Sequence, residues 1–112
     1  MNTTPSGTTY NPGDVLLASL PYSDIVGFKF RPAVVLFEFR GNIIVAPITS
    51  NPNMVGIPVG ISDGLRKEST IKFNSIFTIT TKHTSGKVSS LSRVKRKLLF
   101  ETLFYHMQAL SA

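Results

Sequence analysis

The chain has 112 residues, 42% of them hydrophobic, with no cysteine and a formal net charge of +6. That length suits one domain with a core of modest size. The absence of cysteine excludes a disulfide framework, a thiolate metal site and a cysteine nucleophile, and the positive charge points to a polyanionic partner, of which nucleic acid is the commonest. No apolar stretch approaches the ~18–20 residues a membrane-spanning helix needs. The polar start, MNTTPSGTTYNPG, lacks the basic and apolar segments of a signal peptide. A cytoplasmic protein with no membrane association is expected.

Residues 1–12 are rich in Thr, Asn, Pro and Gly and read as a flexible tail preceding a domain at 13–112. Val15–Leu20 is an apolar run between Gly13 and Pro21, too short for a stable helix, and is predicted as the first strand. Pro21–Phe30 reads as a loop longer than a hairpin turn. It carries Tyr22, Ser23, Phe28, Lys29 and Phe30. Aromatic side chains beside a cation suit base stacking and phosphate contact; the same aromatic residues could equally fold inward and cap the sheet.

The centre of the sequence is RPAVVLFEFRGNIIVAPITSN, Arg31 to Asn51. Ala33–Phe39 and Ile43–Ile48 are Val-, Ile- and Phe-rich runs joined by Arg40-Gly41-Asn42, the pattern of a β-hairpin. The open end of such a hairpin brings Arg31 close to Thr49, Ser50 and Asn51. One permanent cation, two hydroxyls and an amide then converge.

Gly56–Ile61 reads as a short strand at a sheet edge, because Pro58 cannot donate a ladder hydrogen bond. Ser62–Leu65 is a turn and Arg66–Ser69 a polar lead-in to a strand at Thr70–Phe73. Ser75–Thr81 is a further strand, and Lys82–Lys87 a basic loop containing His83. From Leu91 the period changes. Leu91, Val94, Leu98, Leu99, Leu103, Phe104, Met107 and Leu110 form a helical stripe, with Ser90 or Ser92 as N-cap. Its first turns carry Arg93, Lys95, Arg96 and Lys97, where the helix dipole favours acids. Two readings stand: a cluster kept for an anionic partner, or a solvated face. Short strands closed by one C-terminal helix indicate a mainly β domain, a small and strongly bent antiparallel sheet or barrel with the helix stripe over one side.

The motifs, taken in order, resemble a known family. Gly13-Asp14-Val15, Pro21-Tyr22-Ser23-Asp24, Arg31-Pro32-Ala33-Val34-Val35-Leu36, Ala46-Pro47-Ile48-Thr49-Ser50-Asn51, Gly64-Leu65 with Ser69, Ile76 with Thr78-Ile79, and Gly86-Lys87-Val88-Ser89 are similar to the ordered signature of MazF/PemK-type toxins of type II toxin–antitoxin systems. The resemblance implies an SH3-like or CcdB-like barrel, a homodimer, and an endoribonuclease that cuts single-stranded RNA without metal or other cofactor and so halts translation. It also implies a cognate antitoxin that covers the RNA groove. It places the catalytic pair on Arg31 and Thr49, and substrate binding on Ser50, Asn51 and the Tyr22–Phe30 loop. The basic start of the helix departs from the family's usual acidic capping box.

That activity is chemically coherent. RNA supplies its own nucleophile, the 2′-hydroxyl, and Arg31 matches the charge of a phosphoryl group and stays ionised. A guanidinium is a poor base at neutral pH, so charge stabilisation is its expected part, with Thr49 holding or protonating an oxygen of the scissile phosphate. A rival arrangement would use His83 and His106 as an acid–base pair, but nothing in the sequence brings them together. An alternative function on the same fold is a non-catalytic nucleic-acid binder or a CcdB-like poison of DNA gyrase.

Overall fold

The computed structural model describes residues 10–21 and 28–112, with Pro21, Phe28 and Lys29 described by backbone alone. The first strand, β1, spans Asp14–Pro21. Its run is apolar at nearly every position because both faces are covered. Val15 belongs to one buried cluster, whereas Leu16, Ala18 and Leu20 belong to a second. The same alternation divides the next two strands, β2 (Phe28–Phe39) and β3 (Asn42–Thr49). Val34, Ala46 and Ile48 face the first cluster, while Ala33, Val35, Ile43 and Val45 face the second. Tyr10, which the sequence places in the tail, is buried in the second cluster.

β2 and β3 form the expected hairpin. Arg40 and Gly41 both have positive φ, 53° and 85°, the signature of a two-residue type I′ turn. Gly takes that conformation freely, and the Arg40 guanidinium lies 5.5 Å from the centre of the Phe39 ring. The register shifts once between Val35 and Phe37, and β1 against its other neighbour shifts twice. Such bulges increase strand bend and twist, so this sheet curves strongly.

The chain continues through β4 (Ile57–Val59), a 3₁₀ turn at Ile61–Asp63, β5 (Ser69–Ile71), β6 (Phe77–Ile79), a 3₁₀ turn at Thr81–His83 and β7 (Thr84–Ser90). The seven strands run in the order β4-β5-β3-β2-β1-β7, with β6 also paired to β3. All pairs are antiparallel. β4 takes the edge expected from Pro58. Gly56 enters β4 so close to β5 that a Cβ there would strike the Ile71 carbonyl oxygen and the Thr70 methyl group. Gly56→Ala is therefore expected to destabilise the fold by about 1–3 kcal/mol, as overpacking does, seen as a lower urea midpoint.

Two segments differ from the sequence expectation. Phe28–Phe30 lies inside β2 rather than in a loop, because β1 runs on to Pro21 and keeps pairing with it. Lys82–Lys87 is not a loop throughout: Thr84–Lys87 belongs to β7, which pairs with β1. β7 reads Thr-Ser-Gly-Lys-Val-Ser-Ser, with no buried residue, so it carries no apolar alternation to signal a strand.

The final helix, α1, spans Arg93–Met107 and is followed by a 3₁₀ turn. Ser92 is the N-cap, its hydroxyl accepting from the Lys95 N–H at 3.2 Å. The expected stripe covers the sheet only in part. Leu91 and Leu99 are buried, and Leu103 packs beside them. Val94, Leu98, Phe104, Met107 and Leu110 face outward, and within the helix Leu99 and Leu103 make the apolar contact with the core. Polar bonds hold its start. Lys95 donates to the Pro58 carbonyl and pairs with Asp63 at 3.9 Å, and Arg96 donates to the Leu91 carbonyl at 3.0 Å. Lys95 thus ties the helix start to β4 and the 3₁₀ turn after it, a use that neither sequence reading foresaw. No described helix is long and apolar enough to cross a membrane.

Candidate active site

The hairpin register ends at Ala33 opposite Pro47. Beyond it β2 pairs only with β1, Arg31 lying opposite Ala18. β3 goes on with β5, Ile48 opposite Ile71 and Thr49 opposite Thr70. The Pro47 carbonyl accepts from the Lys72 N–H at 2.8 Å and so joins the β5 side. β2 and β3 part company at this point, so Arg31 and Thr49, each two residues beyond the last pair, lie on diverging strands.

A cleft of about 570 Å³ opens between the parted strands. Leu17, Pro32, Ile48, Leu65 and Val88 supply apolar lining, Phe30 an aromatic face, and Ser50 and Ser69 hydroxyls. Its described lining holds three cations, Arg31, Arg66 and Lys67, and no acid. A concave surface with one sign of charge concentrates field and attracts the opposite charge. An apolar floor under a cationic rim suits a ligand that is flat and apolar on one side and anionic on another.

The residues expected to form a site fall as follows. Arg31 is half-buried on β2, and it shares the cleft with Phe30 and Ser50. Phe30 is 58% exposed, so it does not fold inward as a cap. Thr49 sits between two cleft residues, Ile48 and Ser50, as the last residue of β3. Its hydroxyl oxygen accepts from the Asn51 N–H at 3.1 Å. That bond uses a lone pair and leaves the hydroxyl proton available to a phosphate oxygen. Asn51 accepts from the Asn53 N–H at 2.9 Å, which folds the chain back just after the site. Phe28 and Lys29 belong to the start of β2. Tyr22 and Ser23 lie outside the described residues.

Arg66, Lys67, Ser69, Leu17 and Val88 were not among the expected site residues. The sequence signal for the first two was the adjacent Arg-Lys pair, read there as a polar lead-in. The histidines occupy separate settings. His83 Nδ1 lies 3.2 Å from the Thr80 N–H and 3.1 Å from the Thr80 hydroxyl. His106 stacks on Phe73 with ring centres 5.4 Å apart and meets Tyr105 edge-on. Among the described residues no three His, Cys, Asp or Glu side chains come together as a metal-binding group.

The profile of PemK-like, MazF-like toxins of type II toxin–antitoxin systems matches residues 11–103. The chain belongs to this toxin family. The match extends from β1 into the last third of α1 and so includes every lining residue of the cleft. Among solved structures, the Mycobacterium tuberculosis toxin MazF-mt6 superposes with a TM-score of 0.66 at 24% identity, covering 79% of this chain and 89% of the toxin. That likeness shows that the MazF-like toxin shares its fold. No curated protein gives a significant sequence match. Membership of a type II toxin family implies an antitoxin as counterpart.

Proposed function

We propose that this toxin is a metal-independent endoribonuclease of single-stranded RNA, acting in the cytoplasm on messenger RNA and neutralised by its antitoxin. The observation that carries the reading is a cleft whose described lining holds Arg31, Arg66, Lys67 and Ser50 and no acid, with Thr49 between its lining residues Ile48 and Ser50, in a chain of the MazF/PemK family. A homodimer is part of the proposal, on family grounds.

In the proposed reaction the 2′-oxygen of one nucleotide attacks the adjacent phosphorus. A 2′-O–P bond forms as the P–O5′ bond breaks. The 2′-hydroxyl loses one proton and the departing 5′-oxygen gains one, so no water is consumed. The Arg31 guanidinium takes up charge on the non-bridging oxygens, where a fixed donor in a partly desolvated site is most effective. The Thr49 hydroxyl donates to an oxygen of the same phosphate, with Ser50 as a further donor. The aromatic face of Phe30 takes a base by stacking, and Asn51 together with the Tyr22–Lys29 segment completes the substrate contacts.

The products follow from this chemistry: a 2′,3′-cyclic phosphate and a 5′-hydroxyl. Incubating the purified protein with a long single-stranded RNA in EDTA, then sequencing and chemically typing the new 5′ ends, tests it. Cleavage should persist in EDTA, yield 5′-hydroxyl ends and stop when the cleavage-site 2′-hydroxyl is methylated. Ends bearing 5′-phosphate would overturn the mechanism. Salt-sensitive binding without any cleavage would favour a non-catalytic nucleic-acid binder, and gyrase inhibition a CcdB-like poison.

A further inference from the structure

Arg66 and Lys67 enter the cleft from the segment between β4 and β5, whereas Arg31 enters from β2. Both are exposed. The ion pairs among the described residues are Lys87 with Asp14 and Lys95 with Asp63, so neither cation is neutralised there. The acids beside them are turned elsewhere. Asp63 accepts from the Gly60 N–H at 2.8 Å, and Glu68 accepts from the Ile61 N–H at 3.3 Å.

The same bonds pin the segment. Ser89 donates to the Asp63 carbonyl at 2.9 Å, Ser69 donates to the Lys67 carbonyl at 3.0 Å, and Leu65 is buried in the core. The backbone that carries the two cations is therefore held at the rim of a mostly apolar cleft, and the neighbouring carboxylates accept from backbone N–H groups. Loose surface charge for solubility needs no such anchoring.

We propose that Arg66 and Lys67 are a phosphate clamp that grips the RNA backbone on either side of the scissile phosphate. The inference rests on the RNA-cleaving reading above. Contacts of this kind fix register and affinity without carrying sequence information. They release counterions, so each one steepens the salt dependence of binding. Arg31 serves the reacting phosphate, and the clamp sets how long and in which register the strand stays.

The test uses the full chain and a fluorescent single-stranded RNA methylated at every 2′-hydroxyl, which can bind but cannot be cut. Binding of wild type, Arg66→Ala/Lys67→Ala, Arg66→Lys/Lys67→Arg and Arg93→Ala/Lys97→Ala is followed by anisotropy across a salt series. The first double variant should weaken binding at least about ten-fold and lower the log–log salt slope by roughly 1.4, two phosphates' worth on a single strand. The charge-preserving exchange should restore the slope. The helix variant has the same charge loss at exposed positions outside the cleft and should bind like wild type. Its single-turnover cleavage of unmethylated RNA at saturation should also match wild type. An unchanged slope, equal weakening by the helix variant, or a loss confined to the saturating rate would each overturn the clamp. Absence of cleavage by wild type with the clamp dependence intact would instead overturn the nuclease reading and leave the clamp standing.

Discussion

Arg31→Ala is expected to lower single-turnover cleavage of RNA at saturation by about 10²–10³-fold, the usual loss on removing one preorganised donor from a developing oxyanion. The cleft holds other cations, but Arg66 and Lys67 come from the β4–β5 segment, so neither takes over at the phosphate that Arg31 would face. Arg31→Lys should recover little, because a flexible ammonium does not reproduce the planar two-point grip of a guanidinium. Arg31 is only half-buried and its strand stays paired to β1, so the urea midpoint of the alanine variant should lie near that of wild type. Cleavage within about ten-fold of wild type would remove Arg31 from the reaction, given the size of the effect such a donor has.

The largest stability effect is expected at Ile71. It is fully buried at 0% exposure, and its backbone lies opposite both Ile48 and Ile57. Truncation to alanine removes three carbons where the β3, β5 and β4 strands meet and leaves a cavity that rigid neighbours cannot fill. The cost should be about 2–5 kcal/mol, measured as the loss of unfolding free energy in urea titrations followed by circular dichroism. The neighbour of Ile71, Thr70, is paired with Thr49, so the variant should also lose cleavage activity under conditions where most of the protein is still folded. A loss below about 1 kcal/mol would mean that the site collapses around the smaller side chain.

Much of this molecule was legible in the sequence, and the parts that were not share a cause. β1 and the β2–β3 hairpin announce themselves because both faces are buried and the apolar runs are unbroken. Pro58 correctly marks an edge strand, whereas the close approach of Gly56 to β5 has no sequence signal of its own. β7 was missed because no residue in it is buried, and backbone pairing with β1 holds it instead. The helix was legible as a helix, but its stripe overstates its packing. Periodicity reports that apolar residues share a side, not that a partner covers them, and here only Leu99 within the helix is buried.

At the cleft, Arg31 and Ser50 were expected from hairpin logic, Phe30 from the aromatic and cationic make-up of the 21–30 segment, and all three from the family resemblance; all three line it. Arg66 and Lys67 escaped because they reach the cleft through a tertiary contact, across β5, that no local pattern encodes. The tethering role of Lys95 escaped for the same reason: its acceptor, the Pro58 carbonyl, is set by where the helix docks.

The parting of β2 and β3 at Pro47 has a mechanical consequence. Beyond that residue the cleft has one wall in the β1–β2–β7 sheet and another in the small β3–β4–β5 sheet. β3 joins the two, pairing with β2 up to Pro47 and with β5 after it. An occupant that spans the opening splints the two sheets together, and the small sheet, with only three-residue strands at β4 and β5, gains the most rigidity. Occupancy and local order are then thermodynamically linked: whatever stiffens the small sheet improves the grip of the cleft, and whatever fills the cleft slows the fraying of that sheet.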